Sequence, residues 1–170
     1  LRHALERGET VLGAGSGTFS PTVIELFGQI GLDYVWLDFE HGGPSPYDST
    51  VFEELTRAEE TTGIELLVRL PKPEPALIRK VLDAGVRTIL LPRIETASQL
   101  RRGVEAAYFS YNGEVGDRGV GVGRSSGWGG YINDYVEDED EEILVGAMIE
   151  NRQAVENIED ILAVPQLGFA

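Results

Sequence analysis

Short apolar runs alternate with amphipathic stretches along this chain, and the pair recurs roughly every 25 to 30 residues, as in βα repetition. Residues 11–15 form the first apolar run. Ser20 and Pro21 then supply an N-cap and a first helical residue, and the helix continues to Gln29 before Gly31 stops it. A second strand is predicted over 34–39, a helix over 49–61 ending at Gly63, and a third strand over 65–70 halted by Pro71. Pro75 opens the next helix, whose apolar positions Leu77, Ile78, Val81 and Leu82 share one face ahead of Gly85. The fourth strand covers 88–92. Thr96 and Gln99 have the spacing of a capping box for a helix reaching Ala107. Residues 110–130 are glycine-rich and read as irregular. A fifth strand over 143–149, a helix over 152–162 and the start of a sixth strand over 166–170 complete the pattern.

Strands that are apolar throughout, each followed by a helix, specify a parallel sheet covered by helices. Gly13-Ala14-Gly15-Ser16-Gly17 lacks the spacing and the acidic residue of a dinucleotide turn, which argues against a doubly wound sheet. Polar residues fall instead where strands end: Asp38, Glu40 and His41, then Arg69, then Glu95 nearby, then Glu150. A TIM (β/α)₈ barrel builds its site from those positions. The expected fold is therefore a single barrel domain over 1–170 containing about six of the eight βα units. With Leu1 rather than methionine at its start, the sequence reads as part of a longer chain.

Composition narrows the chemistry. The chain has no cysteine, which removes disulfides, thiolate nucleophiles and zinc-thiolate sites. Its 14 basic and 29 acidic residues give a net charge of -15, unsuited to nucleic acid or an anionic membrane, both of which demand a basic face. No run suits a membrane span or a signal peptide, so a cytoplasmic protein is expected. Acidic and lysine-poor, with only Lys72 and Lys80, the chain suggests a halophilic source. The run from Glu137 to Glu142 reads as a solvated loop.

Asp38-Phe39-Glu40-His41 is the densest chemical feature, with two carboxylates and one of the two histidines at the end of an apolar strand. Together with Leu67-Val68-Arg69-Leu70-Pro71, Leu82-Asp83-Ala84-Gly85, Leu90-Leu91-Pro92-Arg93-Ile94-Glu95, Arg118-Gly119-Val120-Gly121 and Ile149-Glu150, it resembles the successive signatures of the HpcH/HpaI aldolases. These motifs run in order over nearly the whole chain. The resemblance implies a divalent-metal-dependent class II aldolase, a homo-oligomer and usually a hexamer. Such an enzyme cleaves a 4-hydroxy-2-oxo acid reversibly to pyruvate, or a related 2-oxo acid, and an aldehyde through a metal-stabilised enolate.

By the same resemblance Glu150 is a ligand of Mg²⁺ or Mn²⁺, and a second ligand, an Asp, is expected after Ala170. Arg69 stabilises the enolate oxygen, and His41 accepts the proton of the hydroxyl. Asp83 raises the basicity of that histidine, Asp38 lies near the water shell of the metal, and Glu40 stands behind these groups. Without the resemblance, Arg69 reads as an ion-pair partner, His41 as a satisfied loop residue, and Asp83 as a carboxylate awaiting a tertiary partner at the wrong end of a helix dipole. Two departures bear on the substrate. Met148 stands where many members carry a substrate-contacting Gln, and Ser110-Tyr111-Asn112-Gly113 replaces a Pro-Pro segment. Alternatives are a CoA-thioester lyase of the citrate-lyase type, a Schiff-base aldolase using Lys72, and a non-catalytic barrel remnant.

Overall fold

The computed structural model describes residues 1–110 and 116–170. A short helix α1 (Arg2–Glu6), which the sequence pattern does not announce, precedes the repeats. These run β1 (Gly13–Ser16), α2 (Pro21–Gln29), β2 (Tyr34–Asp38), α3 (Ser49–Thr62), β3 (Glu65–Arg69), α4 (Pro75–Asp83), β4 (Thr88–Leu91), α5 (Ala97–Ala107), α6 (Ile132–Glu142), β5 (Leu144–Ala147), α7 (Arg152–Glu156), α8 (Ile158–Leu162) and β6 (Leu167–Phe169). Among the described residues, six strands pair in parallel and in chain order. Strand order equal to chain order is the winding of a barrel, since a doubly wound sheet reverses partway.

Alternation along the strands divides the two faces of the sheet. Val35, Leu37, Leu66, Val68, Ile89, Leu91, Val145 and Ala147 are buried, within one core that includes Leu77, Ile78, Val81 and Leu82 of α4. Tyr34, Trp36, Asp38, Leu67 and Arg69 occupy the other face. The caps act as local chemistry dictates: Gly63 ends α3 in the left-handed region at φ 74°, where a Cβ would be strained, and the Asp48 side chain caps its start. Thr96 accepts from the Gln99 amide, but the Gln99 side chain bonds the Glu95 amide, so the capping box is displaced by one residue.

The acidic run forms a helix and not a solvated loop. Residues 137–142 belong to α6, and Tyr135 and Glu139, four apart, turn inward. Glu139 lies 3.5 Å from the Arg87 guanidinium, and Asp140 accepts from the Phe109 amide at 3.1 Å. Tertiary partners thus offset the repulsion that the sequence suggests. The helix expected over 152–162 is broken at Asn157, whose side chain donates to the Glu95 carbonyl at 2.8 Å. Phe109, just ahead of the glycine-rich segment, forms an isolated bridge with Arg118 inside it, and Tyr111, Asn112 and Gly113 lie outside the described residues.

Glu59, on the last turn of α3, faces the start of β3, at the end of the sheet away from Arg69. Burial pushes its carboxyl up to about 8, reinforced by repulsion from Glu65, and its Oε2 has no hydrogen-bond partner. The native state therefore holds a proton that the unfolded chain loses above the ordinary value of 4.5. Stability should fall by roughly 1 kcal/mol per pH unit between the two values from this group alone. Denaturant melts of Glu59→Gln against the parent should show the variant losing that slope and gaining relative stability at pH 8; parallel pH profiles would contradict it.

Candidate active site

Parallel pairing sets Asp38 against Arg69 at the ends of β2 and β3, and this register builds the site. The Arg69 side chain is almost fully buried. Its Nε donates to Asp38 Oδ1 at 2.8 Å and its Nη2 to Oδ2, a bidentate pair. The guanidinium holds the Asp38 carboxyl below the usual range, and the carboxylate in turn raises the Arg69 value. Asp38 Oδ1 also accepts from the amides of Glu40 at 3.0 Å and His41 at 3.3 Å, tying the loop after β2 to the same carboxylate. Trp36, two residues back on the same face, places its ring 5.6 Å from the Arg69 guanidinium carbon.

With Nε and Nη2 engaged by Asp38, Nη1 is the donor that Arg69 has left for the site. It lies 3.4 Å from Glu40 Oε2, 4.0 Å from Glu150 Oε1 and 3.7 Å from the Met148 sulfur. The resemblance places Glu40 behind the other groups, but in the structure it lies between them. Its side chain is 9% exposed, its buried Oε2 has no hydrogen-bond partner, and that oxygen lies 3.7 Å from His41 Nε2. The His41 side chain is 70% exposed and open at the mouth. Glu150, just past β5, accepts from the Arg93 amide at 2.7 Å through Oε2.

Arg93 has no role assigned by the sequence pattern but stands at the centre of this mouth. It follows Pro92 at the end of β4, has φ 51°, and reaches Glu40 Oε1 with Nε at 3.2 Å and the Pro71 carbonyl with Nη2 at 3.1 Å. A charged residue directly after the proline that ends a strand was the signal available for it. Trp36 was likewise legible, two positions before Asp38 on one strand face.

Asp83 is not brought to His41. As the last residue of α4 it leads into the start of β4, at the opposite end of the sheet. There Arg118 Nη2 donates to its Oδ1 at 2.9 Å and also to the Tyr135 hydroxyl. The tertiary partner expected for Asp83 is thus Arg118. Lys72 is 2.7 Å from Glu74, which raises its pKa, whereas an amine nucleophile requires a lowered one. This contact disfavours the Schiff-base alternative.

Residues 16–170 match the profile described as HpcH/HpaI aldolase/citrate lyase. The chain belongs to this family. It is similar to a 4-hydroxy-2-oxovalerate aldolase of Novosphingobium aromaticivorans, with 35% identity over 164 residues, covering 96% of this chain and 60% of the relative. A 2-keto-3-deoxy-L-rhamnonate aldolase of Klebsiella pneumoniae is 32% identical over 166 residues, with 96% and 60% covered. The HpcH/HpaI aldolase structure from Desulfitobacterium hafniense superposes with a TM-score of 0.86 at 28% identity, covering all of this chain and 65% of that one. The chain spans 60% of the length of both curated relatives. Among the described residues, its six parallel strands and the helices between them match part of the barrel that HpcH/HpaI aldolases share.

Among the described residues, no three His, Asp or Glu side chains converge with metal-ligand spacing. The donor set nonetheless suits a hard cation. Glu150 and Glu40 both approach Arg69 Nη1, so they border the same space, and Glu40 Oε2 is a buried carboxylate oxygen lacking any hydrogen bond.

Proposed function

We propose that the protein is a divalent-metal-dependent aldolase that cleaves a 4-hydroxy-2-oxo acid reversibly into pyruvate, or a related 2-oxo acid, and an aldehyde. The observation that carries this reading is the cluster at the strand ends, where an Asp38-locked Arg69 directs its remaining donor toward the space bordered by Glu40, Met148 and Glu150, with His41 at the mouth. Retro-aldol cleavage needs a donor for the developing enolate oxygen and an acceptor for the proton of the 4-hydroxyl.

Arg69 Nη1 supplies the donor. Asp38 prevents the guanidinium from reorienting, so little reorganisation accompanies the development of charge. His41 takes the hydroxyl proton as the bond between C3 and C4 breaks. The electrons of the O–H bond form the aldehyde carbonyl, and those of the C–C bond form the enolate, which is then protonated at C3. Met148 lies beside the 2-oxo acid and offers it a thioether in place of an amide. Glu150 would hold the cation, Mg²⁺ or Mn²⁺. When bound, the cation would draw charge from the 2-oxo group. Chelation by EDTA should abolish cleavage of 4-hydroxy-2-oxovalerate, and either metal should restore it; turnover that persists in chelator would refute the reading.

Within one copy Asp83 lies at the opposite end of the sheet from His41, so the role toward the histidine that the resemblance implies calls for a second copy of the chain, in a homo-oligomer acting on small-molecule substrates. His41→Ala should lower kcat on the order of 10²-fold or more. Mixing this variant with Asp83→Asn should recover activity that neither has alone, because some sites then carry both native residues. Failure to recover it in demonstrably mixed oligomers would exclude the shared site.

The citrate-lyase alternative requires a site for an acyl-CoA. No observation on the strand-end cluster favours it over cleavage of a 2-oxo acid.

A further inference from the structure

Residue 93 adopts a backbone conformation that an L side chain rarely takes, at a cost on the order of 1 kcal/mol or more. Four contacts hold it there. Its amide donates to Glu150, its carbonyl accepts from the Gln99 side chain at 3.2 Å, and its guanidinium reaches Glu40 and the Pro71 carbonyl. The amide contact needs only the backbone. A glycine would make it without strain, so what an arginine adds at this position is its guanidinium.

The two oxygens of Glu40 divide the mouth of the site. Oε2 faces Arg69 and His41, and Oε1 faces Arg93. The hydroxyl-bearing carbon of the substrate must lie by His41, because its proton leaves there. Glu40 stands between that point and Arg93, so an aldehyde fragment extending outward past Glu40 would meet the Arg93 guanidinium. The Arg93 side chain is 63% exposed, so Nη1 remains open to a second partner while Nε keeps Glu40 and Nη2 keeps the Pro71 carbonyl. Lys72, the cation that the sequence reading singled out just beyond β3, is already paired with Glu74.

We propose that Arg93 determines which aldehyde the site accepts, by binding an oxyanion, carboxylate or phosphate, at the far end of the aldehyde fragment. This rests on the aldolase reading and deepens it. Glu40 restrains the guanidinium at the mouth, and the substrate oxyanion completes its coordination.

The test is aldol addition of pyruvate by the intact Mg²⁺-loaded protein to matched aldehydes. Succinic semialdehyde is compared with butyraldehyde, and glyceraldehyde 3-phosphate with glyceraldehyde. Arg93→Gly keeps the left-handed backbone and the amide bond to Glu150 but removes the fork. It should reduce the charged-to-uncharged ratio of kcat/KM roughly 10-fold or more, mainly through KM, as expected for losing a hydrogen-bonded charge pair. Arg93→Lys should recover part of the ratio. The pair that responds, carboxylate or phosphate, identifies the oxyanion. Ratios unchanged in both pairs, in a protein that still exchanges the pyruvate methyl protons with D₂O, would overturn the role of Arg93 alone. If the parent protein shows neither exchange nor addition, the aldolase reading has failed and the inference falls with it.

Discussion

Glu150→Gln should weaken divalent-metal binding at least about 100-fold and remove metal-dependent turnover, since residues merely behind a ligand already cost 10- to 100-fold. The fold should survive. In the parent, Oε2 accepts from the Arg93 amide at 2.7 Å, and a glutamine carbonyl can keep that bond. The amide nitrogen then takes the place of Oε1, 4.0 Å from Arg69 Nη1, so two donors face each other where a carboxylate stood. Charge and ligand are lost together while the backbone stays held. Calorimetric titration with Mn²⁺ is the direct measurement, paired with a thermal melt as the control. Unaltered metal affinity in a folded variant would refute the ligand role and leave Glu40, whose buried Oε2 accepts no hydrogen bond, as the carboxylate to examine.

The second large effect is expected at Arg69. Arg69→Lys keeps the positive charge but cannot bond both Asp38 oxygens and still direct a further donor into the site. The value of kcat should fall on the order of 10²- to 10³-fold, the cost of losing one oxyanion donor. Arg69→Met isolates the role of the pair in stability. Asp38 has its pKa lowered from 3.8 by the guanidinium, so the pair stabilises the native state fully above that value and loses the contribution as pH falls through the depressed one. The methionine variant should therefore be less stable by about 2 kcal/mol at neutral pH, discounted from a fully buried pair because Asp38 is part-exposed. The gap should close in strong acid. Urea melts at pH 7 and pH 3 decide this, and a gap independent of pH would show that Arg69 acts through packing.

The consequences at Glu150, Arg69 and Arg93 are coupled, because one guanidinium nitrogen of Arg69 lies near both Glu40 and Glu150, and Arg93 touches those same two carboxylates. Their effects should not add, and double-mutant cycles on Arg69 and Arg93 would measure the coupling.

Apolar strands, the helix stops at Gly31, Gly63 and Gly85, and the polar residues at strand ends were all legible from the sequence, because each rests on neighbours close along the chain. Those same signals placed Asp38, His41, Arg69 and Glu150 at one end of a parallel sheet. What sequence could not supply was distance. A helix from Glu137 to Glu142 depends on Arg87 and the Phe109 amide, partners remote along the chain, so local charge repulsion pointed the wrong way. Asp83 carries a family motif, but helix direction takes it to the other end of the sheet, where Arg118 claims it. Arg93 and Glu40 are unremarkable in their own segments and gain meaning only where the ends of β2, β4 and β5 meet. Local patterning thus determined the elements and the end of the sheet that bears the site. Only packing across the strands decided which charges face one another there, because parallel pairing joins residues that the chain itself keeps some thirty positions apart, as Asp38 and Arg69 are.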